Sequence, residues 1–120
     1  MAKRSAIDFG EISSATVGDR LDLAVDLSGA LEDSETITSQ NVVSSDTDVL
    51  VVSLQAVNEA VITMENGDTI AIGKGVQFRV TVQKEAKRDI TFTIPITGNS
   101  GTKLTIEAVI KVVDKLRSAR

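Results

Sequence analysis

The residues Ser100-Gly101-Thr102-Lys103 match the S-x-x-K pattern of the penicillin-binding enzymes, in which the serine is a nucleophile at the start of a helix. That chemistry also requires S-D-N and K-T-G partner motifs, and the sequence contains neither of them. The flanking glycines instead favour a tight chain reversal. We therefore predict a turn at this position rather than a catalytic serine.

A second motif, Gly73-Lys74-Gly75, resembles part of a phosphate-binding loop. The G-x-x-x-x-G-K-[ST] spacing that wraps backbone N–H groups around a phosphate is missing, and no helical pattern follows the motif. The sequence therefore predicts a hairpin turn here.

Two groups of acids, Asp46 with Asp48 and Glu65 with Asp68, have the oxygen ligands that Ca²⁺ prefers. Neither group lies in a D-x-D-x-D-G loop, so we predict solvated turns and assign no metal-binding residue.

The basic residues Lys84, Lys87 and Arg88 have no aromatic residues among them on which bases could stack. Together with a net charge of −4, this predicts no nucleic-acid partner.

The composition excludes several classes of enzyme. The 120 residues include no His, Cys, Trp or Tyr, which excludes a Ser-His-Asp triad, a cysteine nucleophile, disulfide bonds and the standard zinc sites. We assign no catalytic or cofactor-binding residue, expect no cofactor, and predict that the protein is not an enzyme. A glycosidase-type carboxylate pair among the 17 acids is the one alternative that the sequence leaves open.

Strand-forming patterns run through most of the chain. Val, Ile and Thr fill 38 positions, and branching at Cβ suits a pleated sheet. Apolar residues alternate with polar ones in short segments that polar turns separate. This pattern predicts an all-β fold, an antiparallel β-sandwich with an immunoglobulin-like Greek key of seven or eight strands. The predicted strands include residues 20–27, 36–44, 49–57, 76–82, 90–96 and 104–113.

Three finer predictions concern strand pairing. We expect a hairpin with the three-residue loop Asn66-Gly67-Asp68, in which Met64 faces Ile70. A second hairpin is expected to join residues 76–82 to residues 90–96, with Pro95 at an edge or facing outward because proline has no N–H to donate. Residues 49–57 and 104–113 are long, apolar candidates for edge strands, and we expect their outward-facing side chains to be covered either by the other sheet or a loop, or by another subunit.

The predicted domain organisation is an N-terminal arm and lead-in over residues 1–18, one sandwich domain over residues 19–113, and a basic tail over residues 114–120. No apolar run resembles a signal peptide or a membrane span, so we expect no export and no membrane partner. Residues 1–70 carry a net charge of −10 and residues 71–120 one of +6. Either the two halves interleave in space, or the charge separation favours head-to-tail contact between copies.

Several segments together resemble a known family. Leu21–Leu31, followed by Glu35-Thr36-Ile37-Thr38-Ser39, is similar to the opening "LDYxxDWSxxLxxGETIxSS" of the fibre–tail adaptors of tailed phages. Gly75–Val82 and Ile90–Ile96 continue the resemblance, which spans about residues 19–97. Leu23 and Leu27 stand where that family has tyrosine and tryptophan, and Ser34 stands where it has glycine.

The resemblance implies an immunoglobulin-like module without catalytic residues. It predicts a structural virion protein of a tailed bacteriophage, a multi-copy adaptor that bridges tail or collar proteins and fibres after assembly in the host cytoplasm. The expected partners are other virion proteins and further copies of the chain. Two alternatives are a capsid decoration protein and a carbohydrate-binding or adhesion sandwich, the latter disfavoured by the lack of Trp and Tyr.

Overall fold

The computed structural model describes residues 7–13, 17–64 and 66–113. Within these residues the chain is built from β-strands and one short 3₁₀ turn, and no described helix is long and apolar enough to cross a bilayer. The strands are β1 (Ile7–Ser13), β2 (Arg20–Asp26), β3 (Ile37–Gln40), β4 (Val43–Ser44), β5 (Leu50–Val57), β6 (Ile62–Thr63), β7 (Thr69–Ile70), β8 (Gly75–Val82), β9 (Arg88–Gly98) and β10 (Lys103–Val113).

The strands form a sandwich of two main sheets. One sheet has the order β2-β8-β5, and the other has the order β1-β10-β9-β3, with β4 also paired to β9. All main pairings are antiparallel except that of β1 with β10. Strands β2, β8 and β5 occupy the positions of strands B, E and D of an immunoglobulin domain, and β3, β9 and β10 those of C, F and G. The predicted all-β sandwich is therefore confirmed.

The core lies between the two sheets and consists mainly of Val, Ile and Leu. Alternate residues of β8 (Val76, Phe78, Val80 and Val82) and of β9 (Ile90, Phe92, Ile94 and Ile96) are buried. The three phenylalanines contact one another across the core, with ring centroids 5.5 Å apart for Phe78 and Phe92 and 5.8 Å apart for Phe9 and Phe78. Each Val, Leu, Ile or Phe side chain that is fully buried stabilises the fold by roughly 1.5–3 kcal/mol.

The predicted hairpin between β8 and β9 is wrong. β8 pairs with β2 and β5, whereas β9 pairs with β10, β3 and β4, so the residues between them cross from one sheet to the other. The eight core residues of these strands nevertheless share one core, because they face each other from opposite sheets. Alternation identifies the buried face of a strand but not its neighbour.

Pro95 lies in the central strand β9 with its side chain exposed, which agrees with the outward-facing alternative. Its carbonyl accepts a hydrogen bond from Asn41 N at 3.3 Å. Asn41 lies in the gap between β3 and β4. The neighbouring strand is thus interrupted where the proline has no N–H to donate.

The hairpin of β6 and β7 forms in a different register from the predicted one. Ile62, and not Met64, pairs with Ile70, and Met64 N donates to Asp68 O at 2.8 Å. Gly67 has a φ of 93°. The register therefore places glycine rather than Asp68 in the left-handed conformation, which costs a residue without Cβ very little.

The predicted edge strands are also revised. β10 is interior, between β1 and β9, and only β5 of the two is an edge.

Residues 7–13 of the predicted N-terminal arm form β1, in which Ile12 is buried and Phe9 packs on the core. The tail, residues 114–120, lies outside the described residues. In the sheet β2-β8-β5 the strand from the basic half lies between two from the acidic half, and in the other sheet β10 and β9 of the basic half lie between β1 and β3 of the acidic half, so strands of the two halves interleave.

Candidate interaction surface

A buried carboxylate organises one end of the sandwich. Glu35 has a relative exposure of 0% although it lies in a polar loop before β3. Its Oε1 accepts hydrogen bonds from Thr102 Oγ1 at 2.6 Å and from Glu32 N at 3.1 Å. Its Oε2 accepts hydrogen bonds from Ser100 N at 3.0 Å and Thr102 N at 3.2 Å. Glu35 thus fixes the turn between β9 and β10.

These hydrogen bonds favour the ionised form of Glu35. The Thr102 hydroxyl, followed by the backbone N–H of Glu32, lowers the pKa of Glu35 from 4.5 to about 2, against the opposing effect of burial. A Cβ at residue 98 would overlap the Glu35 carboxylate, so a larger residue there would displace the side chain that fixes this turn. The S-x-x-K residues therefore form the predicted turn, and Ser100 and Thr102 hold a structural carboxylate.

The predicted Gly73-Lys74-Gly75 turn packs against the same loop. Lys74 Nζ donates hydrogen bonds to the carbonyl oxygens of Glu32, Asp33 and Glu35. Ile37 N donates to Gly73 O at 2.9 Å, which joins the turn to β3. The ammonium group of Lys74 is therefore directed at the protein's own backbone.

Asn58 is the other buried polar residue that joins loops at this end. Its Nδ2 donates to the carbonyls of Ala60, Ile70 and Ala71, at 3.0, 3.4 and 2.9 Å. Its Oδ1 accepts hydrogen bonds from Gly73 N at 3.1 Å and Gly75 N at 3.0 Å. One side chain thereby connects the end of β5, the β6–β7 hairpin and the start of β8.

The remaining charged groups that the sequence singled out are dispersed. Asp46 accepts a hydrogen bond from Arg88 at 2.8 Å, which ties the loop before β5 to β9. Asp68 accepts one from Asn66 Nδ2 at 3.2 Å. Lys84 and Lys87 are exposed. No group of three or more acidic residues in residues 7–13, 17–64 and 66–113 is arranged to hold a metal ion.

A cleft with a volume of about 840 Å³ is the main concavity beside β2. Its walls come from β1, β2, β5, the β6–β7 hairpin and β8. Asp22 and Arg79 form a two-pronged ion pair there, with Nε–Oδ1 at 2.7 Å and Nη2–Oδ2 at 3.2 Å. The lining residues are Phe9, Leu21, Asp22, Leu23, Ala24, Leu54, Ile62, Thr63, Met64, Asn66, Gln77, Phe78 and Arg79. The cleft is therefore lined by both apolar and polar side chains.

Leu54 is the most exposed large apolar residue along this cleft, at 69% relative exposure. It adopts a φ of 54° within a register shift of β5 between Ser53 and Ala56. The bulge lets Gln55 reach the backbone of Val42, accepting a hydrogen bond from its N–H at 2.7 Å and donating one to its carbonyl at 3.2 Å. Leu54 and Ala56 are both exposed, because the bulge breaks the alternation of β5.

Comparisons with known proteins identify no family for this chain. No family model matches the chain, and a search of characterised proteins finds no related sequence. Among solved structures, the CupB2 chaperone of Pseudomonas aeruginosa is 11% identical with a TM-score of 0.40, over 99% of this chain and 58% of that one. A family 123 glycoside hydrolase from Clostridium perfringens is 12% identical with a TM-score of 0.41, over 93% of this chain and 24% of that one. The chain thus spans about half and a quarter of the lengths of these two proteins.

Proposed function

We propose that this protein is a structural component of a tailed-phage particle, present in several copies and bridging neighbouring tail or collar proteins and fibres. The resemblance to fibre–tail adaptors over about residues 19–97 leads to this proposal. The observation that supports it in the structure is the edge of β2, which among the described strands pairs only with β8, beside a cleft that exposes Leu21, Leu23 and Leu54. β2 is the strand in which the resemblance begins, and exposed apolar surface at a strand margin suits contact with another protein.

The proposal requires contact surfaces rather than reactive groups. Glu35 and Asn58 are buried, and their polar atoms form hydrogen bonds that hold loops of the protein together. Leu54, Leu21 and Leu23 supply apolar area at the cleft. A specific interface buries about 800 Å² of each partner. Repeated around a symmetric particle, such contacts hold an adaptor firmly without exceptional affinity at each one.

Particle composition tests this function. Purified particles from the phage that encodes the chain are expected to contain it in a fixed number of copies relative to the major capsid protein, by quantitative mass spectrometry. Antibody labelling in electron micrographs is expected at the tail or collar. Labelling over the capsid surface would indicate a decoration protein instead of an adaptor. Particles that lack the chain would contradict both of these functions.

A further inference from the structure

We propose that two copies of this chain pair through their β2 strands, in antiparallel orientation, with Leu23 of one copy facing Leu23 of the other. The two sheets of order β2-β8-β5 would thereby become one continuous sheet. This inference goes beyond the proposed function and does not depend on it. It rests on the regularity of β2, the direction of its free backbone groups and the order of its charges.

β2 is the regular edge of the described sheets. It pairs with β8 from Arg20 to Asp26 without interruption, and with no other described strand. The other edge strands β1, β3 and β5 each contain a register shift. Bulges and irregularities are common ways to prevent strand addition, so three edges are blunted and β2 is left open.

The backbone groups at the free edge of β2 belong to its even-numbered residues. Val82 N donates to Asp19 O at 2.8 Å and Leu27 N donates to Lys74 O at 2.9 Å, so the odd-numbered residues bond to β8. In an antiparallel ladder the direction alternates, which leaves the N–H and C=O groups of Arg20, Asp22, Ala24 and Asp26 pointing outward. A partner strand must therefore offer its own free groups opposite these.

Charge order selects one register for a second copy. With Leu23 opposite Leu23, Arg20 faces Asp26 of the second copy on both sides of the two-fold axis, and Asp22 faces Ala24. Every hydrogen-bonding pair then joins two even-numbered residues, as the free backbone groups require. Sliding the strands by two residues in either direction places Asp22 opposite Asp22 or opposite Asp26, where like charges repel.

The side chains of β2 are compatible with this antiparallel pairing of two copies. Asp22 is already neutralised by Arg79, and its small opposite residue, Ala24, leaves that ion pair room. Asp26 accepts a hydrogen bond from Ser28 N through Oδ1 alone, so Oδ2 is available to Arg20 of the second copy. Leu21 and Leu23 are only half-buried although they face the core side. The second copy would cover them and extend the apolar layer between the sheets.

Charge reversal in separate copies tests the register. Arg20→Glu places acids opposite acids in its homodimer, and Asp26→Arg places bases opposite bases. We expect sedimentation velocity at low salt to show a dimer for the unchanged chain and at least about tenfold weaker self-association for each variant. An equimolar mixture of the two variants has opposite charges at both positions and is expected to form a dimer again.

Ala24→Pro provides a second variant, because it removes an outward N–H without disturbing the ladder with β8. It is expected to stay folded by circular dichroism and to sediment as a monomer. The proposal is overturned if the unchanged chain is a monomer throughout a concentration series. It is equally overturned if the charge-reversed variants associate as strongly as the unchanged chain, or if their mixture stays monomeric while both are folded. Failure here leaves the particle-composition test of the proposed function untouched.

Discussion

Replacing Glu35 by glutamine is expected to lower the melting temperature by about 10 °C. This is a large effect for the replacement of one acidic side chain by a neutral one of the same size. The carboxylate accepts hydrogen bonds from three backbone N–H groups and the Thr102 hydroxyl. A glutamine amide presents an NH₂ group to some of these donors, and donors that face each other in a buried site stay unsatisfied. Thermal unfolding followed by circular dichroism measures the change.

Glu32→Gln is the matched control, because it removes the same charge three residues earlier from an exposed side chain. Its melting temperature is expected to change little. The pH dependence provides a further check. Because folding lowers the pKa of Glu35 from 4.5 to about 2, its stabilisation is complete above pH 4.5 and is lost as the pH falls towards 2. The Glu35→Gln variant should therefore lose less stability than the unchanged chain across that interval, whereas equal losses would contradict this role of Glu35.

Replacing Asn58 by alanine is expected to reduce the free energy of unfolding by about 3 kcal/mol. Gly75 N would lose its Oδ1 acceptor, and the carbonyls of Ile70 and Ala71 would lose the Nδ2 donor, although Ala71 O would keep its bond from Lys74 N. Gly73 N would keep its bond to the backbone carbonyl of residue 58. Urea unfolding measures the loss, with the exposed Asn41→Ala variant as the control, expected to change stability by less than about 0.5 kcal/mol.

Asn58→Asp separates hydrogen bonding from packing at this position. The aspartate keeps the size of asparagine but loses the Nδ2 donor and places a buried carboxylate beside backbone carbonyls. Burial favours its neutral form, so its stability should recover as the pH is lowered and the carboxyl can donate one hydrogen bond. An Asn58→Ala variant as stable as the unchanged chain would show that the loops at this end hold together without Asn58.

The sequence patterns predicted which face of a strand is buried better than they predicted which strands pair with each other. Alternation correctly identified the buried sides of β8 and β9, but it carried no information on which sheet each strand joins. The bulge at Leu54 was hidden for a related reason, since a leucine in an apolar strand gives no sign of a left-handed backbone. The bulge accompanies hydrogen bonds between Gln55 and the Val42 backbone, a contact between two strands that the sequence does not reveal.

The buried polar residues were harder still to predict. Glu35 and Asn58 stand in polar, turn-rich segments and look like surface residues, because their burial depends on loops distant in sequence. The lysine of Gly73-Lys74-Gly75 was recognised as part of a turn, but its carbonyl partners were not predictable. The free edge of β2 also required the structure. The charges of Arg20, Asp22 and Asp26 are visible in the sequence, whereas the direction of their backbone groups follows from the pairing with β8.

A single cysteine at residue 23 tests the central claim, that copies of the chain pair through β2, most directly. The chain has no cysteine of its own, so Leu23→Cys introduces the only thiol. In the proposed register the two Cα atoms at this position are about 4.5 Å apart, within the range of a disulfide. The two thiols of the control variant Leu21→Cys would lie about 13 Å apart, because each faces Val25 of the other copy. After mild oxidation, we expect a covalent dimer of Leu23→Cys and none of Leu21→Cys on a non-reducing gel; no covalent dimer from Leu23→Cys, or equal amounts from both variants, would contradict pairing through β2.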